Sequence, residues 1–407
     1  MGCFSSKKII VVEKRSGDTY MNNKDYSQAL ECYKQELLFM MKNKIEPKEE
    51  FLGKISTCLE CSASNKESLN FYLSLKNTSI SPSNASQDSY SPETLSFINE
   101  KIAESYFKDS MYEEASTYLE ELKHLYSKSC TSSSEKIFII ENREALCHKY
   151  LGNSNKALEI YKKLLVSSEL ENTTYLPIIY GNIASCYCSQ GKNDLSLEFL
   201  EKSLITKQNR KIKNLAGTHI NLAVVHFNLG NADKALEFLN NAESECSNHE
   251  ILLAKIYNNQ LACFIKLGRF IDAGEVIGKY QEIYKVHLNR MSKIHLASYF
   301  NNLIVFYYKT GKIEELEKSF GEFVEIFQGL KKGSFLFHQY FLTSGLYSYY
   351  KKQFTQALEE MLKAEELEGR YIGTTHMNAS THLNNIGALY MILGDQGKAD
   401  FYFNKSL

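Results

Sequence analysis

The sequence predicts an all-α fold: an α-α superhelix, or solenoid, in which about ten helical hairpins stack one after another. Three observations lead there. One residue pattern recurs along nearly the whole chain, the apolar spacing within each copy is helical, and only 4 prolines interrupt 407 residues.

The recurring pattern places a small residue after an apolar one, then an aromatic or His three residues on and a Gly four beyond that. An Ala-like residue and a large apolar residue follow. Ile183-Ala184, Tyr187, Gly191, Ser196 and Leu200 form one copy, and Leu222-Ala223, His226, Gly230, Ala235 and Leu239 form the next. Ala145, His148, Gly152, Ala157 and Tyr161 precede them, while Gly387, Tyr390, Gly394, Ala399 and Phe403 make the last. Six weaker copies are anchored at Gly17, Ser56, Ala103, Leu261, Ile304 and Gly345, with partners at Ala29, Ser68, Ala115, Ala273, Leu316 and Ala357. Small residues at the anchor and its partner let two helices approach closely, and the large apolar positions fill the layer between hairpins. The glycine falls where the first helix ends, because only Gly takes the left-handed conformation there without strain. Leu222, Val225, His226 and Leu229 keep the i, i+3, i+4, i+7 spacing of a helix, and no segment alternates as a strand does.

The array accounts for residues 9–407 and leaves no room for a separate catalytic domain. Polar stretches near 76–93 and 127–135 are expected to be surface loops. Ser81-Pro82 and Ser91-Pro92 have the form of proline-directed phosphosites, although an unmodified linker is the simpler expectation. Residues 1–8 stand apart. Met1-Gly2-Cys3-Phe4-Ser5-Ser6 fits N-myristoylation at Gly2, with Cys3 placed for a palmitoyl group and Lys7, Lys8, Lys14 and Arg15 adding attraction to anionic lipid. Such a segment implies a protein held on the cytosolic face of a membrane.

A net charge of -1 gives no field to attract nucleic acid, so none is expected as a partner. The 10 cysteines are scattered through a chain with no secretory leader and no apolar run long enough to span a bilayer, which indicates reduced thiols in the cytoplasm. Cys58-Leu59-Glu60-Cys61 has CxxC form but no second ligand pair, so it is assigned to helix packing rather than metal or redox work. Cys186 and Cys188 face different ways on a helix, and His148 and His226 occupy the aromatic position, packed between hairpins. No phosphate loop, nucleophile elbow or paired-carboxylate signature stands out. The expectation is a protein that is not an enzyme, with no catalytic residue, metal, cofactor or small-molecule substrate.

The Leu-Gly-x-x-Tyr and Ala-x-x-x-Phe elements resemble those of tetratricopeptide repeats. The period here, near ~40 residues, exceeds the ~34 of the commonest class, and the terminal proline is missing. The longer form is similar to the repeats of kinesin light chain, above all at His382-Leu383-Asn384-Asn385-Ile386-Gly387-Ala388-Leu389-Tyr390. An acylated N-terminus ahead of long repeats also resembles rapsyn, a membrane-attached receptor-clustering scaffold, in architecture only.

The resemblance implies that the helix position two residues before the anchor points into a concave groove. Asparagine recurs there at Asn182, Asn221, Asn259, Asn302 and Asn385. Asn258, Asn301 and Asn384 adjoin them, and Lys266 and Lys309 sit five residues after their anchors. An amide carries donors and acceptors that suit the backbone of an extended peptide, and the two lysines could draw acidic side chains. The alternative is that these amides bond between neighbouring repeats and only stiffen the stack. The carboxylate clamp of some tetratricopeptide co-chaperones is not expected, because Gly53, Glu100, Asn142, Gly181, Ile220 and Leu342 stand where its lysine is needed. The function expected is an adaptor or scaffold that binds peptide segments of partner proteins. Two alternatives are a structural subunit of a ciliary, trafficking or cytoskeletal assembly docking through convex helix surfaces, and a ligand-gated regulator of an enzyme.

Overall fold

The structure is a computed structural model that describes residues 17–78, 90–128, 134–166, 173–246, 249–328, 336–371 and 377–406. It is all-α, with helices and no strand among the described residues. The chain divides into two compact units, Met1–Ile140 and Glu141–Leu407.

In the first unit the helices are α1 (described over 17–22), α2 (Tyr26–Lys42), α3 (Glu49–Ser62), α4 (Asn65–Thr78), α5 (Pro92–Lys108) and α6 (Tyr112–Lys128). The unit boundary falls within α7 (Ser134–Tyr150). The second unit continues with α8 (Ser154–Val166), α9 (Leu176–Ser189), α10 (Asn193–Asn209), α11 (Ala216–Asn228), α12 (Ala232–Ser244), α13 (Glu250–Leu267) and α14 (Phe270–His287). It ends with α15 (Lys293–Lys309), α16 (Ile313–Ile326), α17 (Leu336–Tyr350), α18 (Phe354–Tyr371), α19 (Met377–Ile392) and α20 (Gln396–Ser406). Odd-numbered helices are the first, or A, members of hairpins; even-numbered helices are the B members.

Every anchor of the repeat pattern lies on an A helix and its partner lies on the following B helix. The alanines at the partner position, including Ala29, Ala115, Ala157, Ala235, Ala273, Ala357 and Ala399, are fully buried. Where serine replaces alanine, its hydroxyl is satisfied inside the hairpin: Ser196 Oγ donates to the carbonyl of the anchor Ala184 at 2.8 Å. The closeness of the two helices explains the glycine anchor. A Cβ on Gly345 would stand 2.8 Å from Met361 Cγ and 3.3 Å from the Ala357 carbonyl oxygen.

The hairpin turn keeps one conformation with or without glycine. Gly152, Gly191, Gly230, Gly268, Gly311 and Gly394, each seven residues after an anchor, have φ between 71° and 87°. Lys24, Ser110 and Lys352 take the same left-handed conformation at the same register, at φ of about 60° and a cost of roughly 1–2 kcal/mol each. Ala63 departs from the rule: with φ of -116° it makes an extended turn between α3 and α4.

Anchors enlarged to Leu261 and Ile304 accompany a different filling. Between α13 and α18 the layers are aromatic, with Tyr280 stacked on Tyr299 at 3.6 Å and Phe320 on Tyr347 at 3.8 Å. Within the hairpin α11–α12, His226 stacks flat on Phe238 at 5.4 Å, and burial pushes its imidazole pKa down. This corrects the expectation that His226 packs between hairpins: three residues after the anchor it faces its own B helix. His148 is also buried.

Helices extend into both polar stretches. α4 runs to Thr78, and α5 begins at Pro92, where the Ser91 hydroxyl accepts the Thr94 amide at 3.3 Å. A capping serine with proline at the first helical position explains that start. Ser91 is therefore a helix cap rather than a linker residue. α6 reaches Lys128 and α7 begins at Ser134. Ser81 lies outside the described residues, as do Gly2, Cys3 and the basic residues Lys7, Lys8, Lys14 and Arg15. Among the described residues no helix is long and apolar enough to cross a membrane.

Candidate peptide-binding seam

Successive A helices of the second unit meet along a polar seam, and its register is regular. The residue three before one anchor faces the residue two before the next. Asn182 Nδ2 on α9 donates to Asn142 Oδ1 on α7 at 2.8 Å. Asn302 Nδ2 on α15 donates to Asn258 Oδ1 on α13 at 2.9 Å, while Asn258 Nδ2 donates to Ser298 Oγ at 3.0 Å. Thr343 Oγ1 on α17 donates to Asn301 Oδ1 on α15 at 3.0 Å. Asn258, 5% exposed, is the most enclosed of these amides and uses both its donor and its acceptor.

The same register holds where the preceding residue cannot bond. Asn221 on α11 faces Gly181 on α9, whose added Cβ would lie 3.7 Å from Asn221 Nδ2. By the same offset Asn259 follows Ile220, and Asn385 follows Leu342. Asn221, Asn259 and Asn385 are half-buried and make no hydrogen bond among the described residues. Asn384 is exposed on α19. The expected amide column therefore splits. Asn182, Asn258, Asn301 and Asn302 bond between helices, and Asn221, Asn259, Asn384 and Asn385 keep their amides unbonded.

Lys266 and Lys309 are both exposed. Lys266 reaches back to the preceding A helix, lying over the Phe227 ring at 4.6 Å and donating to its carbonyl at 3.2 Å. Lys309 sits at the end of α15. Cys58 is buried against Met21, with sulfur atoms 3.5 Å apart, and burial pushes its thiol up to about 11. Cys61, one turn further along α3, is exposed. Burial likewise raises the thiols of Cys186, to about 11, and of Cys188, whose sulfur accepts a bond from Asn228 Nδ2 at 3.3 Å. Asn142 and Thr343, which sequence alone did not assign to this surface, complete two of the bonded junctions. The signal for them was the offset between the two columns.

Residues 100–129 and residues 383–407 each match a tetratricopeptide repeat family. A search of curated protein sequences finds no significant match. Among solved structures, NprR in complex with its cognate peptide NprX superposes with a TM-score of 0.56 at 14% identity, over 93% of this chain and 96% of that one. The APC/C hetero-tetramer Cut9-Hcn1 gives a TM-score of 0.52 at 13% identity, over 96% of this chain and 71% of that one. The chain thus contains tetratricopeptide repeats and has the fold of a tetratricopeptide-like solenoid.

Proposed function

We propose that this chain is a non-catalytic adaptor that holds extended peptide segments of partner proteins along the A-helix seam of residues 141–407. One observation carries the proposal: Asn221, Asn259 and Asn385 are half-buried at a repeating register yet make no hydrogen bond among the described residues. Polar groups half-removed from water without a partner cost stability unless a ligand or solvent completes them. An amide can accept from a peptide N–H and donate to a peptide carbonyl, which favours a ligand's backbone over a particular side chain. NprR, which shares the fold, is known in complex with its cognate peptide NprX, and that supports a peptide ligand for the fold here.

The test is selection of a random-sequence peptide library on the purified protein, followed by titration of the enriched peptides. Changing Asn221 and Asn259 together to Ala should weaken those peptides about tenfold, the worth of one or two hydrogen bonds. Undiminished binding to the double variant would contradict the proposal.

Tethering belongs to the same proposal. The segment Met1-Gly2-Cys3 supports acylation by its residue pattern alone, and two acyl chains would hold the protein on the cytosolic face of a membrane. Mass spectrometry of the native N-terminal peptide should find a myristoyl group on Gly2 and a palmitoyl group on Cys3; an unmodified peptide would remove this part. Exposed apolar side chains on B helices, such as Ile205, Ile271, Val286 and Phe401, come one or two to a helix. Scattered residues of this kind are ordinary on protein surfaces, so they do not favour docking through the B helices over the seam.

A further inference from the structure

Charge is segregated by helix in the second unit, and the net charge of -1 for the whole chain conceals it. Each B helix from α10 to α18 carries three or more acids, among them Asp194, Glu237, Glu275, Glu314 and Glu359. The A helices α9, α11, α13, α15, α17 and α19 carry a single acid, Glu250, which opens α13 and meets His287 of α14. The lysines on these A helices are Lys255, Lys266, Lys293 and Lys309.

Three of those lysines share a stripe with the seam amides. On α13, Lys255, Asn259, Ala262 and Lys266 follow one another at steps of four, three and four residues, which puts them on one face of the helix. α15 repeats the stripe with Ser298, Asn302, Val305 and Lys309. The two stripes adjoin, because Asn258 donates to Ser298 and accepts from Asn302. Lys255, Lys266 and Lys309 are exposed, and none pairs with a carboxylate among the described residues. Lys266 donates once, to the Phe227 carbonyl, and so keeps two of its three donors. This part of the seam therefore carries positive charge that no neighbouring acid neutralises.

We infer that the ligand of the seam, on the reading that a peptide binds there, is an acidic segment with carboxylates at alternate positions, one meeting Lys266 and the next Lys309. Alternate side chains of an extended peptide leave the same edge about 7 Å apart. Packed helix axes lie about 8–10 Å apart, and the flexible lysine stems absorb the difference. Lys266 stands about 10 Å along α13 from Asn259, within the joint reach of a lysine and a glutamate side chain when the peptide backbone rests on the amide. Lys255, about 6 Å to the other side of Asn259, meets the opposite edge of the peptide. The amides are neutral and make no choice among peptides by charge. The lysines do, and they oppose a basic segment.

Selection of a random-sequence peptide library on the full chain tests this. Enriched peptides should hold Asp and Glu well above Lys and Arg, with acids two residues apart over-represented. Lys266→Gln and Lys309→Gln should each weaken the best acidic peptide about two- to fivefold. Raising NaCl from about 50 mM to about 500 mM should remove most of the acidic preference. A second selection on the double Lys→Gln variant should yield binders without acidic bias, while the Asn221→Ala, Asn259→Ala variant should lose affinity and keep the bias. Capture without acidic bias by the unaltered chain, or a bias that survives the double lysine variant, would overturn the inference and leave the seam as a peptide site. Failure to capture any peptide would overturn both.

Discussion

The two units link successive A helices with different chemistry. In the first, lysines stand two residues before the anchor and pair with acids on the preceding A helix: Lys54 with Asp18 at 2.8 Å and Lys101 with Glu60 at 3.0 Å. In the second, asparagines and a threonine occupy that register and bond to asparagines at 2.8–3.0 Å. Only the downstream register is shared: Asp18 lies one residue after its anchor and Glu60 four after, whereas the bonded asparagines of the second unit lie three before theirs. Ion pairs with partly exposed partners contribute little and fade with salt. An amide pair is insensitive to salt, and an amide with no bonding neighbour, such as Asn221 beside Gly181, is left able to bind something else. Among the described residues the second unit carries a neutral row of amide donors and acceptors, which is the surface proposed for a peptide backbone.

Four variants would break or sharpen this contrast. The largest effect is expected from Asn182→Ala, which strands the Asn142 oxygen at a half-buried junction; denaturant unfolding should show a loss of about 1–2 kcal/mol, independent of salt. Gly181→Asn should act in the opposite direction. It removes a helical glycine and places a side chain against Asn221, so stability should rise by about 1 kcal/mol. The same change should weaken peptide capture, because it occupies an open amide. Lys101→Ala should cost under about 1 kcal/mol at low salt, and the cost should nearly vanish in 1 M NaCl. Lys352→Gly, which relieves the left-handed turn between α17 and α18, should add about 0.5–1 kcal/mol and leave capture unchanged. That variant separates stability from binding.

The hairpins, their small-residue contacts and their glycine turns were legible because each lies within one repeat and recurs at fixed offsets. The left-handed turns at Lys24, Ser110 and Lys352 were less so, since tertiary packing imposes there a conformation those residues disfavour. Both asparagine columns were visible too. Their mutual bonding was hidden because it joins residues 40 to 44 apart across loops of unequal length. Ser91 read as loop because a serine caps a helix only when its hydroxyl meets the amide three residues on, and composition alone does not fix that contact.

Asn258 and Asn259 are adjacent on α13, and one bonds to two neighbours while the other bonds to none among the described residues. Comparing the unfolding free energies of Asn258→Ala and Asn259→Ala tests the pairing rule most directly. Asn258→Ala should lose about 2–3 kcal/mol, and Asn259→Ala should lose less than about 0.5 kcal/mol. Equal losses, or the reverse order, would contradict the division of this seam into structural and ligand-binding amides.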